Sequence, residues 1–178
     1  MEVAVFGKGP VSVRCLQVLH ELGVKTVAPR FASLWVSVHW PTIFTPEEIS
    51  TPKEGILNLH NSLLPWNKGA HACTWAIADR TPHGATLHWI DDGIDTGPLF
   101  YQERLEILSD ETADQLYKRT ADLEVSVFTV GMTMILQGER RRLPQVGKGT
   151  FHRKKDFGRL VRALSTSDCE VVRKGKSA

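Results

Sequence analysis

The sequence is poor in cysteine and lacks any long apolar run. Its three cysteines, Cys15, Cys73 and Cys169, are widely spaced and form no Cys-x-x-Cys pair, which argues against a disulfide framework and against a cysteine-based zinc site. No apolar stretch approaches the roughly 20 residues that a membrane-spanning helix needs. The apolar residues 3–6 have neither a basic flank nor a small-residue cleavage site, so they do not read as a secretory signal. We therefore expect a cytoplasmic protein with reduced thiols and no membrane association.

Net charge is also small, but it is unevenly distributed. The 178 residues are 42% hydrophobic and 24% charged, which favours one compact domain and excludes disordered, collagen-like and coiled-coil chains. Residues 139–178 contain 12 Lys/Arg and 4 Asp/Glu, whereas residues 1–138 contain 10 and 16, so the net charges are +8 and −6. A basic end is typical either of contact with an anionic partner, nucleic acid or phosphorylated small molecule, or of a solvated, partly disordered terminus.

The spacing of apolar residues alternates between the period of a strand and that of a helix. Such alternation predicts an α/β fold with a doubly wound, mostly parallel sheet flanked by helices. The predicted strands cover residues 2–6, 34–40, 56–60, 85–90 and 98–108, and the predicted helices cover residues 11–22, 70–78 and a long segment from 110–112 to Gly138.

One segment fits this pattern poorly. Only ten residues, 24–33, separate the first helix from the second strand, where a doubly wound half normally adds further strand and helix units. Either the domain is shortened here or residues are absent from the chain, and the sequence leaves both alternatives open.

The first strand runs into a glycine turn that only partly matches a dinucleotide-binding fingerprint. Gly7 and Gly9 are present, but Ser12 stands where the third small residue belongs. An acidic residue about 20 positions later, which would hold a ribose, is missing as well. The turn therefore predicts close strand–helix packing rather than a nicotinamide site.

The third strand ends in a polar motif, Asn-Leu-His-Asn-Ser-Leu-Leu-Pro over residues 58–65. Because alternate side chains of a strand share a face, Asn58 and His60 point the same way at its end. An amide donor beside an imidazole can polarise a carbonyl and move a proton. Such a pair is also typical of a hydrogen-bonded strand edge, so the motif alone does not establish catalysis.

A turn with three carboxylates follows the strand over residues 85–90. Asp91, Asp92 and Asp95 surround two glycines, a concentration of charge that packing does not require. We expect Asp91 and Asp92 to form an Asx turn with a solvated tip. Asp95 stands just before the next strand, and we expect its carboxylate to face a pocket.

These motifs, in this order and spacing, resemble the folate-dependent formyltransferases over approximately residues 2–138. Residues 65–69 and 151–156 are most similar to the sugar-nucleotide N-formyltransferases, which formylate the amine of a dTDP-linked amino-dideoxy sugar. The resemblance implies a Rossmann-like fold, 10-formyltetrahydrofolate as the formyl donor, no metal, a nucleotide-linked amino sugar as the acceptor and a homodimer.

The resemblance also implies that Asn58, His60 and Asp95 are the catalytic residues. Asn58 and protonated His60 would stabilise the oxygen that becomes negative when the amine attacks the formyl carbon. His60 or a water molecule would take the amine proton, while Asp95 would orient His60 and raise the pKa of its imidazole. His88 would either complete this polar network or serve the structure alone.

Further residues are implied to bind the two reactants. A pterin slot is expected between residues 37–44 and 91–95, although ordinary core packing is an equal alternative for its aromatic walls. Positive side chains are expected to hold the diphosphate. The residues implied to bind the cofactor are Trp40, Ile43, Phe44 and Asp91, and those implied to bind the substrate are Lys8, Trp66, Asn67, Lys68, Arg153 and Lys154.

We divide the chain into a catalytic domain over residues 1–138 and a basic extension over residues 139–178, expected to provide sugar-nucleotide contacts and a dimer-forming hairpin. Methionyl-tRNA formyltransferases usually have a longer basic domain than the 40 residues after Gly138, so we expect no nucleic acid partner. Three alternatives stay open: formylation of methionyl-tRNA, formylation of phosphoribosyl-glycinamide, or a module that binds an anionic ligand without turnover.

Overall fold

A six-stranded sheet forms the centre of the computed structural model, which describes residues 1–158, 160 and 161. Its strand order is β2-β1-β3-β4-β6-β7. Strands β1 to β4 pair in parallel, whereas β6 and β7 are antiparallel additions at one edge. The predicted α/β class with a mostly parallel sheet is confirmed. The strands are β1 (Glu2–Gly7), β2 (Lys25–Thr26), β3 (Leu34–Val38), β4 (Gly55–His60), β5 (Lys68–Gly69), β6 (His83–Trp89), β7 (Leu99–Leu105) and β8 (Phe151–His152).

Helices α1 and α4 cover one face of this sheet and form the main core with it. Leu57 and Leu87 from the sheet pack in one buried cluster with Val11 of α1 and Phe128 of α4. Gly131 lets α4 lie close to the sheet, because a Cβ at this position would clash with the Leu87 side chain. The helices are α1 (Pro10–Glu21), α2 (Pro46–Ser50), α3 (Ala72–Asp79) and α4 (Ala113–Leu136).

The long helix α4 has a clear signal at each end. Thr112 and Gln115 form a reciprocal capping box at its start, which satisfies two backbone N–H groups that the helix leaves free. Gly138 follows its last turn with φ 91°, a left-handed conformation that glycine adopts without strain. Among the described residues, no helix is both long and apolar enough to cross a membrane.

The opposite face of the sheet has a smaller apolar cluster and a row of polar side chains. Ala4, Trp35, Phe44 and Ile56 form the cluster. Further along, Ser37 of β3, Asn58 of β4 and His88 of β6 are direct neighbours across three strands, and such neighbours share one face. The polar row therefore lies at the carboxyl ends of β3 and β4, where parallel sheets of this class bind ligands.

Two predictions about the first half of the chain need correction or completion. The predicted strand 34–40 ends at Val38, because His39 has φ 53° and turns the chain out of the sheet. Residues 24–33 form the short edge strand β2 and a 3₁₀ turn at Pro29–Phe31. The described residues thus have only this short strand and turn between α1 and β3.

After α4 the chain runs back across the body instead of leaving it. Leu143 pairs with Leu99 of β7, and β8 pairs with β5 in a separate two-stranded sheet. The part of the extension up to residue 158 therefore packs on the predicted catalytic domain. Residues 162–178, to which part of the predicted dimer-forming hairpin belongs, lie outside the described residues.

Candidate active site

A cluster of an amide, two imidazoles and one carboxylate lies at the carboxyl end of β4. Asp95 Oδ1 is 3.5 Å from Asn58 Nδ2 and 3.5 Å from His88 Nε2. Asp95 Oδ2 is 3.7 Å from His60 Nε2. Asn58 and His60 come from β4, His88 from the adjacent β6 and Asp95 from the turn that follows, so the sheet itself holds three of the four groups.

The hydrogen bonds of the two imidazoles define their donors. His60 Nε2 donates to the backbone oxygen of Asn67 over 3.2 Å, since a carbonyl oxygen can only accept. For the same reason His88 Nδ1 donates to the backbone oxygen of Trp89 over 2.9 Å, which leaves its Nε2 to accept from Asn58 Nδ2 over 3.1 Å. No described residue hydrogen-bonds to Nδ1 of His60, so in the neutral ring this nitrogen has a lone pair available for a ligand.

Asp95 is held by its backbone and by its carboxylate. Its φ is 53°, a conformation that costs non-glycine residues energy and is often found at functional sites. Oδ2 accepts from the backbone N–H of Gly69 over 2.8 Å. Burial alone would raise the pKa of Asp95, but His60, His88 and the Gly69 N–H together lower it well below its usual value. The group is therefore a fixed negative charge at neutral pH.

A cavity of about 580 Å³ opens beside this cluster. Its volume is within the range of about 300–1,000 Å³ typical of small-molecule sites. One wall comes from the end of β3 and the loop after it, another from the turn that contains Asp91 and Asp95, and a third from β8 and the residues that follow. Of the predicted site residues, those that line the cavity are Asn58, His60, Asp95, Trp40, Ile43, Phe44, Asp91, Arg153 and Lys154.

The predicted cofactor-binding residues differ in their exposure to solvent. Trp40 is 39% exposed and Ile43 is 73% exposed, and apolar side chains exposed beside a cavity are typical of ligand sites. Phe44 is buried against Phe6 and contributes mainly to the small apolar cluster. Asp91 Oδ1 accepts from Gly93 N and from Thr96 Oγ1, which forms the predicted Asx turn and engages one of its two carboxylate oxygens.

Four predicted substrate-binding residues lie outside the cavity. Lys8, Trp66 and Lys68 are not among its lining residues, so the structure adds no support for them. Asn67 is fully buried, and its side chain donates to Thr81 Oγ1 over 2.7 Å and accepts from Thr150 Oγ1 over 3.1 Å. The prediction for Asn67 therefore changes from a substrate contact to a support of the loop whose carbonyl holds His60.

Replacing Asn67 by alanine is expected to destabilise the fold. The variant loses two side-chain hydrogen bonds in a buried site and puts alanine at φ 54°, so we expect a loss of about 2–3 kcal/mol in the free energy of unfolding. Urea denaturation measures this loss. Thr81→Val, which removes one of the same partners, should cost less, and the double variant should cost less than the sum.

Two residues that support the site were not singled out in the sequence, because their partners are distant. Gln145 Nε2 donates to the backbone oxygens of Asp95 and Gly97, both over 2.9 Å, and so holds the turn from the C-terminal segment. His39 lines the cavity and is 2.7 Å from Glu124 of α4. An isolated glutamine or histidine in the sequence offers no signal for such long-range pairs. Within the described residues no group of three His, Cys, Asp or Glu side chains is arranged to hold a metal ion.

Comparisons with known proteins point to one family. A family model described as formyl transferase matches residues 17–130. The methionyl-tRNA formyltransferase of Myxococcus xanthus (strain DK1622) is 37% identical over 122 residues, 66% of this chain and 39% of that protein. The cytosolic 10-formyltetrahydrofolate dehydrogenase of Homo sapiens is 37% identical over 112 residues, 61% of this chain and 12% of that protein. The chain thus spans less than half the length of these two relatives.

Among solved structures, the formyltransferase PseJ from Anoxybacillus kamchatkensis has the same fold with a TM-score of 0.82. It was solved in complex with UDP-4,6-dideoxy-4-formamido-L-AltNAc and tetrahydrofolate. The two chains are 24% identical, and the match covers 97% of this chain and 95% of PseJ.

Proposed function

Because the chain belongs to the formyl transferase family, we propose that it transfers a formyl group from 10-formyltetrahydrofolate to the amine of a nucleotide-linked amino sugar. One observation carries the proposal: the cluster of Asn58, His60 and Asp95 borders a cavity that has exposed apolar side chains on one wall and basic side chains on another. This arrangement suits a flat, largely apolar donor and an anionic acceptor that meet at the cluster.

The donor fits the residues present. The cavity has the volume of a small-molecule site, and Trp40 and Ile43 offer apolar surface that a pterin ring would cover. When bound, 10-formyltetrahydrofolate supplies the formyl carbon that an amine attacks. Asp91 Oδ1 shapes the turn by accepting from Gly93 and Thr96, and its second oxygen would be open to a donor group of the pterin.

The chain's own groups then perform two tasks. Asn58 Nδ2 lies at the cavity wall, with one N–H donating to His88 and the other only weakly held by Asp95 Oδ1 at 3.5 Å. This second N–H can turn to an oxygen that gains negative charge. His60 Nδ1 would accept the proton that the attacking amine must lose and return it to the donor nitrogen when the bond from that nitrogen to the formyl carbon breaks, so that tetrahydrofolate leaves neutral at that atom. The resulting imidazolium is stabilised by the Asp95 carboxylate 3.7 Å away. Binding both reactants in one cavity supplies much of the remaining rate through orientation.

Basic residues at the third wall support an anionic acceptor. Arg153 and Lys154 border the cavity beside Phe151, which is partly exposed. A guanidinium binds phosphate oxygens in pairs, and an exposed aromatic ring can stack on a nucleobase. The likeness in fold to PseJ, whose ligand is a UDP-linked sugar, supports the same class of acceptor. The dTDP form and the homodimer expected from the sequence stay predictions.

Methionyl-tRNA is the second candidate acceptor, favoured by the 37% identity to the Myxococcus xanthus relative. The two acceptors differ in the number of phosphates that a protein must neutralise. Binding of tRNA would release many counterions and weaken steeply with salt, whereas binding of a nucleoside diphosphate involves only two phosphates.

Calorimetric titration distinguishes the two candidates. We expect UDP or dTDP to bind with micromolar to millimolar affinity that changes by less than about tenfold between 50 and 200 mM salt. Unacylated tRNA should show no binding that resists 200 mM salt. Tight tRNA binding together with absent binding of both nucleotides would reject the amino-sugar proposal in favour of the tRNA acceptor.

Arg153→Ala is expected to weaken binding of the sugar nucleotide. The exposed guanidinium at the cavity edge contacts phosphate in the ground state and in the transition state alike, so KM should rise by about tenfold with kcat little changed. Steady-state kinetics with the acceptor varied measures this split. Lys148→Ala, an exposed basic residue of the same segment that does not line the cavity, is the matched control and should leave KM unaltered.

A further inference from the structure

A buried glutamate on α4 is paired with a histidine at the cavity. Glu124 is fully buried, and its Oε1 is 2.7 Å from Nε2 of His39. Its second carboxylate oxygen, Oε2, has no hydrogen-bond partner among the described residues. A buried carboxylate with one partner is expensive, and a well-packed apolar residue would stabilise a core better. Stability alone therefore does not explain why a glutamate occupies this position.

His39 stands where the chain leaves the sheet to form the cofactor wall. Its φ of 53° turns the backbone from β3 into residues 40–44, here called the wall loop. The wall loop belongs to no helix or strand, and its residues make no hydrogen bond to the rest of the described chain. Trp40 contacts Phe6, and Phe44 packs in the small apolar cluster with Trp35. The far end of the wall loop runs into the capping box of α2, and its first residue follows directly on His39.

We propose that Glu124 is a positioning residue, which through His39 fixes the wall loop and so sets the affinity of the cavity for the folate donor. The inference rests on the proposed function and deepens it. Glu124 does not line the cavity: it lies on α4, on the sheet face opposite the polar row, and among the described residues its hydrogen-bond partner His39 connects it to the cavity. A donor that packs on Trp40 and Ile43 depends on where this loop is held.

The pairing depends on the charge of His39. Burial alone would lower the pKa of His39, but the hydrogen bond and charge of Glu124 raise it above the usual 6.5. The charged pair is therefore complete below that usual value and is lost as pH rises through the raised pKa of His39. Glu124 also interacts electrostatically with Cys15, Cys73 and Tyr117. The pKa values of these three groups are raised, so the groups remain neutral across this range. The ionisable groups that share the cavity with His39 are His60, His88, Asp91, Asp92, Asp95, His152, Arg153 and Lys154.

The test is the binding of tetrahydrofolate to Glu124→Gln. This variant keeps the volume of the side chain and removes its charge. We expect binding to weaken by about tenfold, the effect of losing one charge-assisted hydrogen bond. At saturating donor we expect kcat to stay within about twofold, since the catalytic cluster is untouched. Asp122→Asn, the same change at an exposed position on α4 that pairs with Arg14, should leave both quantities unaltered.

Two further readouts separate positioning from a general loss of structure. In NMR, the imidazole of His39 should titrate at a higher pH in the wild type than in Glu124→Gln. Tetrahydrofolate affinity of the wild type should fall as pH rises through that titration, and Glu124→Gln should lack this component. If Glu124→Gln does not fold, His39→Asn replaces it, because asparagine accepts the left-handed turn but is too short to reach Glu124.

The outcomes distinguish this inference from the proposed function. If the wild type binds no tetrahydrofolate, the proposed function fails. If the wild type binds it and folded Glu124→Gln binds it equally well, or if the His39 titration is the same in both, the inference fails while the proposed function stands.

Discussion

His60→Ala is expected to lower kcat for formyl transfer by about 10²–10⁴-fold, the usual contribution of a positioned general base. His60 Nε2 is committed to the Asn67 carbonyl, and Asp95 lies 3.7 Å away. Nδ1 is therefore the atom left to take the amine proton, and alanine offers no replacement. Initial rates at saturating donor and acceptor measure the loss.

Folding has to be monitored alongside the rate. His60 is buried at the end of β4, so its replacement can also destabilise the fold. The melting temperature of His60→Ala should therefore be compared with that of the wild type. His20→Ala, the same change at an exposed position on α1, is the matched control and should retain full activity. A folded His60→Ala enzyme with a near-normal rate would show that the proton leaves by another route.

Asp95→Asn is the second substitution with a large expected effect, at least about 100-fold on kcat. The asparagine keeps the size of the side chain but removes the negative charge that stabilises a positive His60. Two donors now face the Asp95 carboxylate, Asn58 Nδ2 at 3.5 Å and Gly69 N at 2.8 Å. The NH₂ group of an asparagine at this position cannot accept from the donor that it faces. Single-turnover rates report the chemical step without product release.

The same variant has a defined pH signature in stability. Because the pKa of Asp95 is lowered, its ionised form stabilises the fold fully above the usual value of 3.8, and the effect is lost as pH falls through the lowered pKa. The difference in unfolding free energy between wild type and Asp95→Asn should therefore persist from pH 7 down to about pH 4. Asp114→Asn, at an exposed site on α4, is the control. If Asp95→Asn were as active as the wild type, Asp95 would not be a catalytic residue.

The sequence predicts this site where residues with suitable side chains are close to one another along the chain. Asn58 and His60 are two residues apart on a strand, so the alternation of side chains puts both on one face. Asp95 could be singled out because charge beside glycine and proline in a turn has no packing purpose. The structure brings these groups together, with Asp95 within 3.7 Å of both.

Contacts between distant segments could not be predicted in this way. The pairing of β5 with β8 joins residues more than 80 positions apart, and Glu124 lies 85 positions from His39. Asn67 illustrates a different failure, because a polar residue beside a predicted site looks like a ligand contact. Only the left-handed backbone and the bonds to Thr81 and Thr150 reveal its structural role.

The central claim is tested most directly by the mass of the product. The wild-type protein is incubated with 10-formyltetrahydrofolate and UDP- and dTDP-linked amino-dideoxy sugars, with methionyl-tRNA and phosphoribosyl-glycinamide in parallel reactions. We predict that one amino sugar gains a single formyl group in step with tetrahydrofolate release, and that His60→Ala abolishes the gain. Formylation of methionyl-tRNA or phosphoribosyl-glycinamide with none of the sugars modified, or ligand binding without any transfer, would contradict the account.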